Sequence, residues 1–490
     1  MARRLGRAVR VNMDGPVLSA PNICYELAEK TKAIAHGGIG AIHRLVQRVG
    51  LAIRIDTAVR VLKVHQPYSE SDHVLNIAYN LLCGGQTLDD IELRRNDRVF
   101  LDALGTESIP DPTTAGDFCR RFDEARIEAL MDAINETRLA VWRRCQGLVE
   151  ETARIDGDGT LVPTTGACKE GMDIAYNGVW GYGPLLVSLA NTGEPLFIRN
   201  RSANRPSHEG AMPYFDKAVA LCRRAGFTDI LLRGDTDFAL TTAFDRWTTA
   251  GVRFVFGYDA TPTMVRWGQS APPDLYTQLV RRTERALKTV PRQRPTNVKD
   301  RIVAARGFKK ITTVSEALVD FEYQPTKCTR SYRVVALKKN LSVERGEQVL
   351  FDDIRYFFYI TNDSTLSCDE VVREARQRCD QENLIAQLKG GVRALHAPVN
   401  TLHANWAYMV MAALAWSLKA WVALALPIVP RWRSRHEDER RQLLRMDFRT
   451  FLGAFINMPC QIVTSGRRVI FRLLAWNSWQ YIFLRFVDAT

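Results

Sequence analysis

The 490-residue sequence contains no Cys-X-X-Cys pair, and none of its ten cysteines is grouped with histidine at a zinc-binding spacing. We therefore expect reduced, mostly packed thiols of a cytosolic protein, and neither a disulfide framework nor a zinc site. Residues 2–7 are basic, but no apolar signal-peptide core follows them. Low-complexity tracts and internal repeats are also absent. The composition, 46% hydrophobic and 25% charged, is that of an ordinary soluble globular protein.

Only one long apolar stretch is present, at residues 404–426. Its length would allow it to cross a membrane. However, Asn405, Ser417 and Lys419 interrupt the stretch, and no second span accompanies it. It is therefore predicted to be a buried helix of a protein that does not enter a membrane.

Positive charge is in excess, with 67 Lys and Arg against 54 Asp and Glu and a net charge of +13. A chain of this length can hold two to four domains and a sizeable core. The charge surplus favours a polyanionic partner, because each Lys or Arg placed against a phosphate releases a condensed counterion.

Residues 1–150 have the pattern of a helical region. Apolar residues recur with helical spacing over 39–49, 74–82 and 115–142, and a break with two prolines lies at 108–114. Short helices joined by polar turns suit a helix-turn-helix DNA reader and a plain helical bundle equally well, so both interpretations stay open.

From residue 153 onwards the pattern changes to strands. A strand carrying acidic residues comes first, and two further strands flank a hairpin turn at 191–194. The order then continues as helix, strand, helix and strand. The predicted ranges are 153–162, 184–190, 196–200, 213–225, 229–233, 240–250 and 252–257. This element order is typical of a ribonuclease-H-like core, so the predicted fold class is α/β (α+β).

A basic segment interrupts the core pattern and is predicted to be an insertion with a small β-rich body of its own. Its cations include Arg281, Arg282, Arg285, Lys309 and Lys310. The predicted division of the chain is a helical region (1–150), the first part of the core (151–261), the basic β-rich insertion (262–350), the second part of the core (351–426) and a basic, aromatic C-terminal region (427–490).

Two carboxylates lie close together in the first core strand, within the segment 156–160 (DGDGT). Strand alternation places Asp156 and Asp158 on one face and Ile155 on the other. Neighbouring carboxylates repel each other unless a cation neutralises them, and their hard oxygens suit Mg²⁺ or Mn²⁺. An exposed turn with solvated acids is the alternative. An EF-hand is excluded, because Ala167 occupies the place of the bidentate Glu.

A third acid, Asp235, follows the predicted strand 229–233. In the predicted core this strand lies next to the first, which would bring Asp235 near Asp158. Asp237 is predicted to cap the helix that follows, and a supporting acid behind the metal ligands is the alternative.

A predicted helix near the C-terminal side carries a fourth acid between cations. Ser367 and Glu370 form a capping box at its start. At about 100° per residue, Arg378, Glu382 and Lys389 share one face of this helix. Such a Glu can bind a metal while its neighbours hold phosphates. The alternative is a solvated face with Arg378 and Glu382 paired at four-residue spacing.

Together these segments resemble the DDE transposases of bacterial insertion sequences, specifically the group 1 DDE set of the insertion-sequence-four-like superfamily. The hallmark around the third acid of that set is Tyr, two residues, Arg, three residues, Glu, six residues and Lys. Arg378, Glu382 and Lys389 have this spacing, but Ala375 stands where the Tyr belongs. The resemblance covers about residues 35–425, and the matching segments are 158–160, 176–178, 182–185, 233–235 and 381–383.

The resemblance implies metal-dependent DNA strand cleavage and strand transfer in cut-and-paste transposition of an insertion sequence. Asp158, Asp235 and Glu382 would hold two Mg²⁺ (or Mn²⁺) ions, with Asp156 as an alternative first acid. The phosphates would be contacted by Arg378 and Lys389, and the transposon ends by the basic insertion and the N-terminal helices. A homodimer on double-stranded DNA, comprising terminal inverted repeats and target, is expected in the bacterial cytoplasm at the nucleoid. Loss of the Tyr would affect a supporting contact to the DNA backbone.

Two rival interpretations remain. The segment 156–162 also resembles motif one of haloacid-dehalogenase-type Mg-dependent phosphatases, with Asp156 as nucleophile. That family needs an apolar parallel strand before the motif and a helical crossover after it, whereas residues 151–154 are polar and a hairpin follows. The second rival is a catalytically inactive, domesticated DNA-binding relative, with the defect at a position such as Ala375.

Several aromatic residues lie outside these motifs. Trp267, in the insertion, is predicted to pack in a core, and stacking on an unpaired nucleotide is the alternative. The aromatic residues of the C-terminal region are predicted to pack or to form a protomer interface; they are Trp432, Trp476, Trp479, Tyr481 and Phe483.

Overall fold

The computed structural model of the protein describes residues 23–25, 31–166, 168–278, 309–345, 348–466, 468–475 and 477–489. The α-helices are α1 (Ile39–Val49), α2 (Leu51–Ala58), α3 (Glu70–Leu82), α4 (Ile91–Arg95), α5 (Arg98–Leu104), α6 (Pro112–Cys119), α7 (Glu124–Trp142), α8 (Ala211–Ala225), α9 (Thr241–Thr249), α10 (Pro262–Ser270), α11 (Cys368–Gln377), α12 (Cys379–Ala386), α13 (Leu402–Ala425), α14 (Arg433–Arg445), α15 (Phe448–Phe451) and α16 (Gln480–Ala489).

The strands are β1 (Ala33–Ile34), β2 (Ala153–Gly159), β3 (Val162–Pro163), β4 (Asp173–Ile174), β5 (Trp180–Tyr182), β6 (Leu185–Leu189), β7 (Glu194–Arg199), β8 (Ile230–Gly234), β9 (Arg253–Tyr258), β10 (Thr277–Gln278), β11 (Lys309–Tyr323), β12 (Tyr332–Arg345), β13 (Gln348–Thr361), β14 (Cys460–Ser465) and β15 (Arg468–Leu473). The protein is therefore a mixed α/β structure, as predicted.

A nine-stranded mixed sheet forms the centre, with the order β10-β11-β12-β13-β9-β8-β2-β6-β7. Strands β2, β6 and β7 are antiparallel neighbours, whereas β8 and β9 run parallel to β2. The turn between β6 and β7 has Gly193 at φ +65°, a left-handed conformation that suits glycine. The predicted order of three antiparallel strands followed by helix, strand, helix and strand is confirmed.

The strands of the predicted insertion join this same sheet. Long antiparallel ladders connect β11 to β12 and β12 to β13, and β13 continues into the core by pairing with β9. The expectation of a separate β-rich body was therefore wrong, because the backbone hydrogen bonds at the edge of β9 are satisfied by β13. Trp267 packs edge-on against Phe321 with ring centroids 5.2 Å apart, but it is 41% exposed, so it lies at the surface and not in a core as predicted.

The region before β2 is helical, as predicted, and it wraps around a central helix. Helix α13 packs against α3, α6 and α7 from this region and against β7 of the sheet. It is the single helix in the described part of the chain that is long and apolar enough to cross a membrane, and its apolar window is completely buried. The prediction of a buried core helix is confirmed.

The C-terminal region packs back onto the core. Helix α14 lies against α13, and strands β14 and β15 form a small sheet with β1 near the start of the described chain. Phe483 is buried and Trp479 packs against Phe455, as predicted for packing aromatics. Trp432 and Tyr481 are instead exposed, at 50% and 74%. Trp476 lies outside the described residues.

A buried charge cluster ties the helix before the fourth acid to the sheet. Arg233 on β8 donates from Nε and Nη2 to the two carboxylate oxygens of Asp156 on β2, at 2.7 and 2.8 Å. Its Nη1 also donates to Glu374 on α11 at 3.0 Å, and Glu374 accepts three further hydrogen bonds from Nε and Nη2 of Arg154. Burial lowers the pKa of Arg233, but the carboxylates of Asp156 and Glu374 raise it by more, so the pKa is raised overall. The cluster therefore holds α11 against β2 and β8 by charge-assisted hydrogen bonds.

The predicted single helix from Ser367 is in fact two helices. Its start is as predicted, because Ser367 and Glu370 form the expected capping box. The helix is interrupted at Arg378, which ends α11 and precedes α12, and a π-helical turn over Gln387–Gly391 follows. The interruption lets α11 follow the strands while α12 lies over β2.

We predict that Arg233→Met lowers the free energy of unfolding by about 3–5 kcal/mol, because it leaves the buried Asp156 carboxylate without its cation. Arg246→Met is the matched control, because Arg246 is 54% exposed and pairs with Asp216 on the surface. We expect the control to change stability by less than about 1 kcal/mol. Urea unfolding of the three proteins measures both values, and equal small losses would show that the cluster does not hold the helix.

A second prediction concerns Lys419, which lies buried on α13, 3.9 Å from the centre of the Trp416 ring. Burial lowers its pKa to about 7, although Asp447 opposes the shift. Between pH 7 and about 10.4 the unfolded chain therefore binds one more proton than the folded chain, so stability rises with pH. We expect Lys419→Met to stabilise the protein most below pH 7, with the gain shrinking towards pH 10. The exposed Lys63→Met is the control in denaturation at several pH values, and a pH-independent difference would contradict the prediction.

Candidate active site

Two of the predicted acids meet at one edge of the central sheet. Strands β2 and β8 are parallel neighbours with Asp156 opposite Arg233. Two residues further along lie Asp158, in β2, and Asp235, directly after the end of β8. The parallel register therefore brings these two acids side by side, as expected. Asp235 accepts a hydrogen bond from the backbone N–H of Asp237 at 3.0 Å. Asp235 thus caps the short turn over Thr236–Phe238, and the prediction that Asp237 caps the following helix was wrong.

The fourth acid, Glu382, is brought to the same edge by α12. This helix is anchored on β6, where Gln381 accepts a hydrogen bond from Ser188 and its amide lies 3.4 Å from the carbonyl oxygen of Leu186. Arg378 then lies between two of the acids, with Nη1 3.2 Å from Asp158 Oδ2 and Nη2 3.7 Å from Glu382 Oε1. The Glu382 side chain is 61% exposed, so it can change rotamer without disturbing the core.

The electrostatics confirm that these carboxylates share one environment. Burial raises the pKa of Asp158 to about 6; Arg378 opposes the shift, and Asp235 and Glu382 add to it. Burial also raises the pKa of Asp235, again opposed by Arg378. Asp158 is therefore repelled by both Asp235 and Glu382, and Arg378 offsets only part of the rise in its pKa.

Lys389 is the second cation of the predicted motif, and the π-helical turn carries it. Burial lowers its pKa, and the carboxylate of Asp158 opposes that shift. Asp158 is thus close enough to interact with both Arg378 and Lys389, so the structure brings together all five residues of the predicted motif. π-Helical turns of this kind are common at functional sites, where they redirect a side chain.

The donor set has the chemistry of a divalent-metal site. Three carboxylates supply hard oxygen ligands, and a cation among them would offset both the burial and the repulsion that raise the pKa of Asp158. Within the described residues, no three His, Cys, Asp or Glu side chains already lie close enough together to hold a metal ion. The guanidinium of Arg378 lies between Asp158 and Glu382, so a metal shared by these two acids would have to replace it there.

Asp156, the alternative first acid, has a different role. Both of its oxygens accept hydrogen bonds from Arg233, and its side chain is only 1% exposed. It is therefore a positioning residue, which favours Asp158 as the first acid. The same contacts argue against the phosphatase interpretation, in which Asp156 would be the nucleophile. The strand after this segment is also antiparallel, since β6 pairs with β2 without a helical crossover.

The remaining predicted DNA contacts are only partly described. Arg281, Arg282 and Arg285 lie outside the described residues. Lys309 and Lys310 begin β11, opposite Arg345 and Glu344 of β12. Neither group is brought to the acids by a described contact, so their contribution to DNA binding stays a prediction.

Sequence reasoning missed the residues that position the site. Arg233 was noted as part of a family motif, but its bidentate contact with Asp156 was not foreseen. In the sequence, Glu374 is only a carboxylate one helical turn before Arg378, and Arg154 is only a cation two residues before Asp156. Neither pattern indicates that the residue positions the site. These pairs are separated by 77 to 220 residues in the chain, so no local pattern could reveal them.

Comparison with known proteins identifies the family. The sequence model described as "Transposase DDE domain group 1" matches residues 30–489. No curated protein sequence matches the chain. Among solved structures, one similar chain is that of a cryo-EM structure of piggyBac transposase in a synaptic complex with hairpin DNA. It has 8% sequence identity and a TM-score of 0.34, and the match covers 86% of this chain and 81% of that chain.

The family match spans almost the whole chain and includes all five residues of the motif at the sheet edge. Enzymes of this family cleave DNA and transfer polynucleotide strands, and they use divalent metal ions to do so. The chain belongs to group 1 of the DDE transposases, and it is an enzyme of DNA transposition.

Proposed function

We propose that Asp158, Asp235 and Glu382 are the catalytic acids of this transposase. The observation that carries the proposal is their meeting at one sheet edge, where Asp158 interacts with both other acids and its pKa rises to about 6. Cleavage and strand transfer at the ends of an insertion sequence, in a cut-and-paste reaction, is the activity that such a site supports.

Asp158, Asp235 and Glu382 would hold two Mg²⁺ or Mn²⁺ ions. When bound, such ions lower the pKa of an attacking water and neutralise charge on the phosphate. The protein's part is to keep the acids ionised and oriented. Arg378 favours the ionised form of Asp158, and the hydrogen bonds of Gln381 to β6 keep Glu382 on the side of the sheet where Asp158 lies.

The two cations of the motif are proposed to bind the DNA phosphates. Arg378 is only 19% exposed and lies among carboxylates, so its guanidinium is oriented before DNA arrives. With metal ions held by the acids, the guanidinium of Arg378 would no longer be needed to offset their charge and would be available to a DNA phosphate. Lys389, half-buried beside Asp158, adds a second positive charge.

The sheet supports a ribonuclease-H-like core as the finer description of the fold. Its strands β7-β6-β2-β8-β9 have the first three antiparallel and the last two parallel to β2, and the acids lie at the carboxyl ends of β2 and β8. Residues 151–261 and 351–426 would form this core, interrupted by residues 262–350.

Other features of the proposal concern partners and location. The helical region 1–150 would read or grip the terminal inverted repeats, with a homodimer on double-stranded DNA because two ends must be cut together. We place the protein in the bacterial cytoplasm, at the nucleoid. The presence of all three acids and of Arg378 at the site favours an active enzyme over an inactive DNA-binding relative.

We predict that Asp158→Asn and Glu382→Gln each reduce metal-dependent nicking of the element's own ends by at least about 1,000-fold. Each variant loses a charged oxygen ligand, while the fold keeps its Asp156–Arg233 pair. Asp380→Asn is the matched control, because Asp380 is an exposed acid on the same helix, and we expect activity close to that of the parent. A gel assay on end-labelled DNA with Mg²⁺ or Mn²⁺ measures all three, and undiminished nicking by Asp158→Asn would refute the proposed site.

The pKa of Asp158 gives a further prediction. Because that pKa is raised to about 6, the carboxylate becomes protonated as the pH falls through this value, and it then competes poorly for metal. At limiting Mn²⁺ or Mg²⁺, nicking should decline below about pH 6, and a tenfold higher metal concentration should move the midpoint to lower pH. DNA binding measured with EDTA present serves as the control. A midpoint pH of nicking that does not change with metal concentration would contradict the assignment of Asp158 as a metal ligand.

A further inference from the structure

The π-helical turn over Gln387–Gly391 carries Lys389 at the edge of the site. The backbone N–H of Val392 donates to the carbonyl oxygen of Gln387, five residues earlier, at 2.8 Å, which is the hydrogen bond that defines such a turn. Because π-helical turns are rare, we expect contacts from elsewhere in the fold to hold this one in place.

The C-terminal region holds the side-chain amide of Gln387 at both ends. Gln387 Nε2 donates to Oδ1 of Asp447 at 2.9 Å, and Gln387 Oε1 accepts a hydrogen bond from the backbone N–H of Phe448 at 3.0 Å. Asp447 precedes α15 but makes no side-chain capping hydrogen bond to it, so its carboxylate is available to Gln387. Phe448 is buried in the core. The amide therefore cannot rotate or flip without losing a hydrogen bond.

The last residue of the turn, Gly391, leaves the space that Gln387 needs to reach these partners. A Cβ atom at position 391 would lie 2.7 Å from Oε1 of Gln387 and 3.2 Å from Cβ of Phe448. The first distance is too short for a non-bonded contact, so a side chain here would push the Gln387 amide away from Phe448. The neighbouring Gly390 differs, because a Cβ atom there would meet no atom within 4 Å. Neither glycine has a positive φ, so the space around them is what distinguishes the two.

The segment that follows the turn is tied to the N-terminal region. Arg393 has φ +58°, a left-handed conformation that is uncommon for a residue with a side chain. Its Nε donates to the carbonyl oxygen of Gln86, in the loop between α3 and α4, at 2.9 Å. The carbonyl oxygen of Lys389 lies 3.2 Å from Nε2 of His396. These contacts fix the end of the turn, and the contacts of Gln387 fix its start.

We infer that Gln387 is a positioning residue for Lys389, through which Asp447 and Phe448 of the C-terminal region hold that cation where it can contact a DNA phosphate. This role rests on the phosphate contact proposed above for Lys389. Lys389 follows Gln387 by two residues in the same turn, so a displaced Gln387 moves the backbone from which the Lys389 side chain projects. The C-terminal region supplies none of the acids or cations of the motif, and it acts on the site through this amide.

The first test compares Gly391→Ala with Gly390→Ala, which make the same small change at adjacent residues. Only the first displaces the Gln387 amide. Hydrogen exchange of residues 387–395, measured by mass spectrometry on the full chain, should be at least about tenfold faster than in the parent for both Gly391→Ala and Gln387→Ala. Gly390→Ala should exchange no faster than the parent. Exchange at the parent's rate in both Gly391→Ala and Gln387→Ala would overturn the positioning role.

A double-mutant cycle with Lys389→Ala tests the connection to DNA. Binding of a duplex that carries the element's own end is measured against salt concentration, with EDTA present. Lys389→Ala should reduce the slope of log affinity against log salt by about 1, since one phosphate contact is lost. Gln387→Ala should reduce the same slope and weaken binding at least about threefold near 0.15 M salt. The double variant Gln387→Ala/Lys389→Ala should bind no more weakly than Lys389→Ala, because Gln387 acts through Lys389.

The contrary outcomes distinguish the positioning role from the proposed function. If the losses of affinity add in the double variant, or if Gln387→Ala leaves the salt slope unchanged while Lys389→Ala reduces it, Gln387 does not position Lys389 for DNA. If Lys389→Ala binds as the parent does while Gly391→Ala still speeds exchange, the phosphate contact of Lys389 is wrong and Gln387 still holds the turn. Exchange that rises equally along the whole chain in Gln387→Ala and Gly391→Ala would show only a loss of global stability, and it would overturn the positioning role.

Discussion

The bidentate contact between Arg233 and Asp156 is the interaction on which the geometry of the proposed active site depends. It joins neighbouring parallel strands, and Glu374 extends it to the helix that precedes Glu382. A buried cation of this kind is not a source of great net stability, because desolvation cancels much of the attraction. Its value is geometric, because its hydrogen bonds join α11 to both strands. The helix α12 that follows, with Glu382, is thereby held near the two strands that carry the other acids.

The acids themselves are held in an unfavourable arrangement. Asp158 and Asp235 are partly buried and close together, and Arg378 relieves only part of the repulsion. A protein selected for stability alone would not place them so. The arrangement suits a cation, and the hydrogen bonds of Gln381 to β6 hold α12 in place without help from the acids. This separation of positioning residues from reacting residues explains why Asp156 and Asp158, two residues apart on one strand, have unrelated roles.

Helix α13 is the central helix on which the N-terminal helices, the sheet and the C-terminal region pack. It is buried on all sides among the N-terminal helices, the edge of the sheet and the C-terminal region. Its first residue, Leu402, accepts a hydrogen bond from Asn200, just after β7 and at the sheet edge where Asp158 lies. Because a buried α-helix is stiff, it holds the packed N-terminal and C-terminal regions in a fixed position relative to the sheet. The helix that resembled a membrane span by composition is thus a rigid internal support.

The sequence by itself determined the order of the core strands, the hairpin, the buried helix and the group of Asp158, Asp235, Arg378, Glu382 and Lys389. Each rests on local periodicity or on a motif whose spacing is short. Tertiary structure alone decided that β11–β13 continue the central sheet, that the helix breaks at Arg378, and that Asp156 binds Arg233 while Asp158 faces the other acids. These outcomes depend on which strand edge is unpaired and which buried charge finds a partner. Both depend on contacts between residues far apart in the chain, which no local sequence pattern indicates.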